Sequence, residues 1–156
     1  MHQKQLIDDF YKAFHARDAA AMSRMYDDAA HFSDPVFPAL DAAGVRAMWT
    51  MLTARASDLT VTASDIESDG DTGKCRWVAR YTFTATKRFV ENRIVAEFKF
   101  RNGLILDHRD TFSFWRWSRQ ALGPAGLVLG WTPLLQKKVQ RTAADNLAKF
   151  RAAAKG

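Results

Sequence analysis

The period of the hydrophobic pattern changes at Leu59, and this change constrains the fold more than any other feature of the chain. Before Leu59, apolar residues recur at helical spacing, as they do over residues 3–16. After it, apolar and polar residues alternate, as in KCRWVARYTFTAT at 74–86. Strands that follow helices without alternating with them are typical of α+β domains. We therefore predict an α+β domain in which a curved antiparallel sheet packs on N-terminal helices.

The helical part of the pattern divides into three segments before the strands begin. The first segment is residues 3–16, and Asp18 is placed to cap a second, short helix that runs through Tyr26. A loop with two prolines, DPVFPALDAAG at 34–44, separates this helix from a third one around Trp49.

The C-terminal part of the chain combines an apolar linker with a basic helix. The linker GPAGLVLGW at 123–131 is unusual for a surface, so we expect it to pack over a cavity mouth or onto a second subunit. Thr132 followed by Pro133 predicts the start of the helix. Its apolar stripe consists mostly of small residues, so the pattern does not favour a helix that lies on a membrane.

Composition fits a single domain with one core. A length of 156 residues with 47% hydrophobic and 12% aromatic content allows an apolar pocket in addition to that core. The single cysteine, Cys75, excludes an internal disulfide and is expected as a small buried hydrophobe. The sequence shows neither a signal peptide nor a run of about 20 apolar residues. These features predict a cytoplasmic protein.

Charge is distributed unevenly along the chain. Residues 1–70 carry 6 Lys/Arg and 11 Asp/Glu, whereas residues 71–156 carry 17 and 6, which gives net charges of −5 and +11. The cations of the basic part are scattered singly along predicted strands and helix faces, without a nucleic-acid recognition motif beside them. We therefore expect no nucleic-acid partner.

The last predicted strand carries the strongest indication of function. In LILDHRDTFSF at 104–114, the period of two places His108 and Asp110 on one face with Leu104, Leu106, Phe112 and Phe114. An apolar sheet face accepts two polar groups only when they are paired, hydrated or used in a reaction. The structural alternative is that Asp110 pairs with Arg80 or another cation of the sheet while a backbone carbonyl satisfies His108.

A third candidate is Asp34, which lies between aromatic and aliphatic residues in HFSDPVF at 31–37. Burial among aromatic side chains would raise the pKa of Asp34 or Asp110 toward neutrality, so that the carboxylate could take a proton that His108 returns. The aromatic residues expected to do this are Phe32, Phe37, Trp49 and Phe112. The structural alternative is that Asp34 only closes a turn at Pro35, since such turns are frequent.

The order helix, short helix, MYDDAAHFSDP, helix and long strands ending in GLILDHRDTF resembles the nuclear transport factor 2-like superfamily, in particular its ketosteroid isomerase and SnoaL-like polyketide cyclase branches. The resemblance covers residues 3–115 and implies a cone-shaped fold with an apolar cavity for a small hydrophobic ligand. We accordingly predict a SnoaL-like domain at 1–115 and a C-terminal helical extension at 116–156. The outer sheet face often forms a homodimer in this superfamily, and Trp77, Tyr81 and Phe83 would suit that role if they face outward.

The resemblance also implies roles for individual residues. In the ketosteroid isomerases an Asp in an Asp-Pro loop shuttles a proton beside a carbonyl, and Asp34 matches that residue. The Tyr that donates a hydrogen bond in that family corresponds to Phe10, with Tyr11 adjacent. The protonated Asp of the family falls near Asn92 or Arg93.

The sheet is also similar to that of limonene-epoxide hydrolase. Asp110 in HRDTF matches the Asp that orients the attacking water there. An earlier strand of that enzyme carries an Arg followed two residues later by a second Asp, where this chain has Arg80 and Thr82. In SnoaL-like cyclases a His and an Asp commonly share the acid–base role, which His108 and Asp110 could supply.

We expect an enzyme that performs acid–base chemistry on a small hydrophobic molecule without a cofactor or metal, as an isomerase, a cyclase or an epoxide hydrolase. The alternative is a non-catalytic ligand-binding or dimerisation module of the same fold, which the loss of both oxyanion donors supports. The expected catalytic residues are Asp34, His108 and Asp110. The expected substrate contacts are Phe10, Tyr11, Tyr26, Phe32, Trp49, Arg80 and Phe112.

Overall fold

A computed structural model describes residues 2–155 of the protein. The helices are α1 (His2–His15), α2 (Ala19–Arg24), α3 (Ala42–Arg55), α4 (Phe114–Leu122), α5 (Pro124–Leu129) and α6 (Pro133–Lys155). The strands are β1 (Tyr26–Ser33), β2 (Leu40–Asp41), β3 (Thr60–Asp69), β4 (Thr72–Phe83), β5 (Arg88–Arg101) and β6 (Leu104–Thr111). No helix within the described range has the length and apolar character needed to cross a membrane.

The strands form one curved, open sheet in the order β2-β1-β6-β5-β4-β3. All neighbours are antiparallel except β1 and β6, which run parallel. Strands β4 and β5 are the long ones, with 12 and 14 residues. The helices cover one face of this sheet, so the α+β prediction is confirmed.

Side-chain caps fix two of the predicted helix starts. The Asp18 carboxylate accepts the Ala21 N–H at 3.0 Å at the start of α2. Asp41 does the same for Gly44 at 2.8 Å at the start of α3. The second helix ends at Arg24, before Tyr26, because Tyr26 begins β1.

Strand β1 is an element that the sequence pattern did not predict. Its segment YDDAAHFS lacks a regular alternation of apolar and polar residues, and its burial is equally irregular. The reason is a register shift in its pairing with β6, which occurs between Tyr26 and His31. A strand with such an irregularity does not show the period of two by which strands are recognised.

The inner face of the sheet is built by alternate residues of β4 and β5. Cys75, Trp77 and Ala79 are buried on β4, and Ile94, Ala96, Phe98 and Phe100 are buried on β5. Trp77, Tyr81 and Phe83 therefore face inward, where all three line a cavity. The suggestion that they form an outer dimerisation face is wrong.

Strand β6 departs from strict alternation near its start. Lys99 pairs with Asp107 whereas Phe100 pairs with Ile105, which leaves Leu106 as an extra residue. As a result Ile105 is fully buried, whereas Leu104 and Leu106 are only half-buried. The expectation that Leu104 and Leu106 share the inner face is wrong, but His108 and Asp110, beyond the bulge, do lie on it.

The C-terminal helices pack against the rest of the chain through a second apolar cluster and a set of polar contacts. Phe114, Trp117 and Ala121 of α4 are buried with Val90 of β5. The side chains of Gln136 and Gln140 on α6 donate to the Pro35 carbonyl at 3.1 and 3.0 Å. Helix α6 thus holds the loop that carries Asp34. The domain boundary predicted after residue 115 falls inside α4 and stays a prediction.

We expect the substitution Gly126→Ala to lower the free energy of unfolding by about 1–3 kcal/mol, because the added Cβ would overlap the Ser118 backbone carbonyl and force α5 away from α4. Thermal and urea unfolding measure the effect. Val128→Ala, at an exposed position of the same helix, is the control and should change stability by less than about 0.5 kcal/mol. Equal stabilities of the two variants would mean that α5 does not pack on α4 in this way.

Candidate active site

A cavity of about 610 Å³ lies between the inner sheet face, α3 and the C-terminal helices. Its size is typical of pockets that bind small molecules. Most of its wall is apolar: Phe14, Trp49 and Leu52 from the N-terminal helices, Trp77, Phe83 and Ile94 from the sheet, and Trp117, Leu135 and Val139 from the C-terminal helices. The cavity is therefore suited to a hydrophobic ligand.

Two carboxylates, Asp34 and Asp110, line this apolar cavity. Asp110 comes from the middle of the sheet, where the alternation of β6 turns it inward. Asp34 comes from the loop between β1 and β2. Both sequence-predicted acids therefore lie at one site, although they are 76 positions apart in the chain.

Asp110 ends a chain of buried hydrogen bonds that runs through His108. Trp49 Nε1 donates to the Tyr26 hydroxyl at 2.9 Å, and that hydroxyl lies 2.8 Å from His108 Nδ1. His108 Nε2 lies 2.8 Å from Asp110 Oδ1, and Trp77 Nε1 donates to the same oxygen at 3.4 Å. We refer to these five residues as the relay.

The relay allows one assignment of protons. The Tyr26 hydroxyl accepts the Trp49 N–H, and burial raises the pKa of Tyr26 well above its ordinary value, so it remains protonated and donates to His108 Nδ1. Nδ1 is then an acceptor, and Nε2 carries the proton that is donated to Asp110. A second proton on His108 would leave the Tyr26 proton without an acceptor. In this assignment His108 orients Asp110 through its Nε2–H group.

His108 itself lies behind the cavity wall. It has no exposed surface, and its ring is packed by Phe10, Phe32 and Phe98 at centroid distances of 5.8, 5.0 and 4.4 Å. The alternative that a backbone carbonyl satisfies His108 is wrong, because its nitrogens bind Tyr26 and Asp110. Its contact with the cavity is made through Asp110.

Asp34 closes a turn through its side chain and also has a raised pKa. Its Oδ1 accepts the backbone N–H groups of Val36 and Phe37 at 2.7 and 2.6 Å, which closes the turn at Pro35. Burial raises the pKa of Asp34 to about 7, and the charge of Asp110 adds to that effect, while the two backbone N–H groups oppose it. The turn and the acid–base interpretation are therefore both compatible with this residue.

Two further polar side chains reach the cavity from the sheet. The Tyr81 hydroxyl accepts the Trp117 indole N–H at 2.9 Å, and burial raises the pKa of Tyr81, so its own proton is available to an acceptor in the cavity. Asn92 is 9% exposed and lines the cavity, and its side chain makes no hydrogen bond to the described residues. Both are donors for a carbonyl oxygen.

These two donors differ in how far the sequence indicates them. Asn92 was noted as one of two residues near the position of the protonated Asp of the ketosteroid isomerases, whereas Tyr81 was not identified. The alternation of β4 placed Tyr81 with Trp77, but the partner that orients its hydroxyl, Trp117, lies 36 residues further along the chain. Arg93, the other residue near that position, points outward and pairs with Glu91.

The structure places the remaining predicted contacts at three locations. Trp49 and Phe112 line the cavity, as do Asp34 and Asp110. Phe10, Tyr11, Tyr26 and Phe32 are core residues behind its wall, because they pack around His108 or against the inner sheet face. Arg80 lies on the opposite sheet face and pairs with Glu91 at 3.2 Å, so neither its predicted substrate contact nor its pairing with Asp110 is present.

Two buried groups near Asp110 do not belong to the cavity wall. The Tyr11 hydroxyl is buried without a hydrogen-bond partner among the described residues. Burial raises the pKa of Cys75 to about 12, which keeps it a neutral thiol. Within residues 2–155, no three His, Cys, Asp or Glu side chains group closely enough to hold a metal ion.

Residues 7–108 match the SnoaL-like domain family, as the sequence resemblance predicted. No curated protein matches the chain. Among solved structures, TsrD from Streptomyces laurentii is 19% identical with a TM-score of 0.68, covering 78% of this chain and 96% of TsrD. IdmH from Streptomyces antibioticus, described as a putative polyketide cyclase, is 24% identical with a TM-score of 0.62, covering 80% of this chain and 97% of IdmH.

An epoxide hydrolase from M. tuberculosis, described as LEH-like, has the same fold at 16% identity. Its TM-score is 0.67, and the alignment covers 82% of this chain and 96% of the hydrolase. The similarity to all three structures establishes the fold and leaves the chemistry to the residues of the cavity.

Substituting Tyr26 by Phe should lower the free energy of unfolding by about 1–3 kcal/mol, because it leaves the buried Trp49 N–H and His108 Nδ1 without partners. Urea unfolding measures the loss. Tyr11→Phe is the matched control: it also removes a buried hydroxyl, but one without a partner, and should be neutral or stabilising. A loss of equal size in both variants would contradict the relay.

Asp34→Asn should become more stabilising as the pH rises from about 4 to about 7. With a pKa of about 7 when folded, Asp34 keeps a proton that the unfolded chain releases near 3.8, so its ionisation weakens the fold across this range. Asn keeps the acceptor of the turn and lacks the charge. Since Asp34 is partly exposed, we expect the stability difference from the wild type to grow by about 1–2 kcal/mol.

Urea unfolding at several pH values tests this prediction, with Asp27→Asn as the control. The Arg101 hydrogen bond lowers the pKa of Asp27 below 3.8, so its stabilising effect is complete above about pH 4 and is lost only at lower pH. Asp27→Asn should therefore destabilise the protein by a constant amount between pH 4 and 7. A constant difference for Asp34→Asn as well would refute the elevated pKa.

Proposed function

We propose that this chain, which belongs to the SnoaL-like domain family, is an enzyme that transfers protons on a small hydrophobic carbonyl compound without a cofactor. The observation that carries the proposal is the placement of two carboxylates in unlike environments on one apolar cavity. Asp110 is held by N–H donors of the relay, and Asp34 has a pKa of about 7. Such a pair can supply a base and an acid to the same substrate.

Asp110 is the base in this proposal. Its Oδ1 accepts from His108 and Trp77, while Oδ2 has no hydrogen bond to the described residues and belongs to a side chain that lines the cavity. Oδ2 takes a proton from the carbon beside the substrate carbonyl. His108 is a positioning residue, because it touches Asp110 and has no surface in the cavity.

Tyr81 and Asn92 receive the negative charge that develops in this step. The electrons of the broken C–H bond move onto the carbonyl oxygen, which becomes an enolate oxygen. The Tyr81 O–H and the Asn92 amide can donate hydrogen bonds to that oxygen in an apolar surrounding, where each donor is worth about 3–4 kcal/mol. They take the place of the oxyanion donors that the sequence comparison did not find.

Asp34 is the acid that completes the reaction. About half of it is protonated near pH 7, because its pKa is about 7. In the isomerisation of a β,γ-unsaturated ketone the enolate is a conjugated dienolate, and Asp34 protonates its γ-carbon. In a cyclisation the enolate carbon attacks another carbonyl and Asp34 protonates the alkoxide that forms. Asp110 is then protonated and Asp34 ionised, and exchange of one proton restores both.

Epoxide hydrolysis has less support from the residues of the cavity. In the similar hydrolases the sequence comparison implies an Arg and a second Asp on an earlier strand. Arg80 lies on the outer face here, and Thr82, which stands where the second Asp would be, donates its hydroxyl to Asp58 at 2.6 Å. The proposed reactions are therefore isomerisation or cyclisation through an enolate.

The second candidate is a ligand-binding module without turnover. The full burial of His108 favours it, because a relay of this kind could serve stability alone. Against it, the C-terminal helices leave the cavity open, and Asp34 is not paired with a cation. An open cavity and an unpaired Asp34 favour an enzyme, whereas the bond between Asp110 and His108 is compatible with either function.

Exchange of hydrogen for deuterium at the acidic carbon of a ligand tests the proposal without knowledge of the natural substrate. We expect the protein to accelerate exchange in D₂O for some members of a panel of hydrophobic cyclic and aryl ketones, followed by proton NMR. Asp110→Asn should reduce that acceleration about 100-fold or more while the ketone still binds. Asp34→Asn should abolish the dependence of the exchange rate on pH near pH 7.

The matched control is Asp107→Asn, on the outward side of the same strand, which should exchange like the wild type. Binding of the same ketones is measured by fluorescence of the tryptophans that line the cavity. Ketones that bind without exchange, or exchange that persists in Asp110→Asn, would favour the binding module.

A further inference from the structure

An apolar corner of the molecule lies at the junction of α5 and α6. Leu127, Val128 and Leu129 of α5 are 53%, 63% and 48% exposed. Trp131 and Leu134, which follow them, are 74% and 80% exposed. Single exposed apolar residues are common, but five within eight positions, including a tryptophan, indicate a surface that is covered by something else. We call this set the α5–α6 corner.

Cations flank the corner on the side of α4. Gly123 adopts a φ of 67° between α4 and α5, and the Arg88 guanidinium lies close against it. Arg119 stacks on the Trp115 ring at 4.7 Å, and the Trp115 indole N–H donates to the Leu127 carbonyl at 3.2 Å. Two guanidinium groups are thus fixed beside the apolar side chains of α5.

Cations also flank the corner on the side of α6. Lys137 and Lys138 lie one turn after Leu134 and are exposed. Residues 114–155 contain eight Lys/Arg and one acid, Asp145. None of the basic residues of α4 and α6 forms an ion pair within the described part of the chain. Their charge is therefore available to an external anion.

We propose that the α5–α6 corner docks on the surface of an anionic lipid bilayer. Exposed Leu, Val and Trp side chains flanked by Lys and Arg are the pattern by which helices bind the interface of acidic membranes. The sequence alone did not favour this contact, because the apolar stripe of α6 is built of small residues. The structure shows that the large apolar residues lie at the exposed corner before that stripe.

A second copy of the chain fits this surface less well. In a twofold symmetric dimer the corner would face its own copy, so the cations around it would oppose identical cations without acids between them. A bilayer with negative headgroups instead neutralises the same charges. The charge pattern therefore favours lipid over self-association.

The corner also adjoins the cavity. Ala125 of α5 and Leu135 of α6 line the cavity wall, and Lys138 lies at its exposed edge. A hydrophobic ligand dissolved in the bilayer would be close to the opening. The docking itself is independent of the proposed chemistry, since it is measured without turnover.

Sedimentation with vesicles tests the proposal. We expect the full chain to bind vesicles of phosphatidylcholine with about 30% phosphatidylglycerol about tenfold or more tightly than vesicles of phosphatidylcholine alone, and to lose that preference at high salt. The double substitution Trp131→Ser with Leu134→Ser should reduce binding about tenfold or more. Val95→Ser, an exposed aliphatic residue on the outer sheet face, should bind like the wild type.

Circular dichroism verifies that the variants fold, and the charge substitution Lys137→Glu gives a second test that leaves the apolar residues intact. Equal binding to both kinds of vesicle, or unchanged binding of the double variant, would overturn the proposal. Light scattering identifies the other occupant: a dimer that the double substitution dissociates, without vesicle binding, would assign the corner to a second copy of the chain.

Discussion

The centre of this protein depends on pairing a buried imidazole with a buried carboxylate. Polar groups without partners in an apolar interior cost several kcal/mol, so His108 and Asp110 are stable there only if nearly every nitrogen and oxygen is bonded. Tyr26 provides the partner of His108 Nδ1, and it can do so only from the start of β1, beside β6. The parallel pairing of β1 with β6 and the position of α3, which supplies Trp49, bring these partners together.

The sequence predicted the parts of the fold that depend on regular local patterns. The alternation of β4 and β5 and the common face of His108 and Asp110 are confirmed because each side chain follows the period of two. Strand β1 and the bulge at Leu106 were missed because they interrupt that period. A regular strand is recognised by its alternation of apolar and polar residues, and strand β1 and the bulge at Leu106 both lack that alternation.

The two acids of the candidate site were predicted from the sequence, but the hydrogen bonds that orient the site's polar groups were not. Asp34 and Asp110 attracted attention as acids in apolar surroundings, which is a local property. The hydrogen bonds Tyr26–His108, Trp49–Tyr26 and Trp117–Tyr81 join residues that are 23 to 82 positions apart. Local sequence patterns do not predict such pairs. The same is true of Phe10, which the family resemblance placed in the pocket, and of Phe32, which is close to Asp34 in the sequence. Tertiary packing places both rings against His108, behind the cavity wall.

The cavity is completed by residues that lie beyond the family match. The match to the SnoaL-like family ends at His108, yet Asp110 and Trp117 lie beyond it. Helix α6 closes one wall of the cavity and binds the Pro35 carbonyl beside Asp34. The apolar capacity of the cavity and the orientation of Tyr81 are therefore properties of this chain rather than of the family domain alone.

The charges around the cavity determine how a ligand can enter it. Arg55 and Lys138 line its exposed edge, whereas Asp34 and Asp110 lie on its partly or fully buried wall. An anionic group of a ligand is attracted by Arg55 and Lys138 at the edge and repelled by Asp34 and Asp110 inside. The apolar wall provides no cation to offset that repulsion. Under the proposed function, a ligand that carries both an anionic group and a hydrophobic ketone would bind with the ketone inward, which would bring the carbon acid, and not the anionic group, to Asp110.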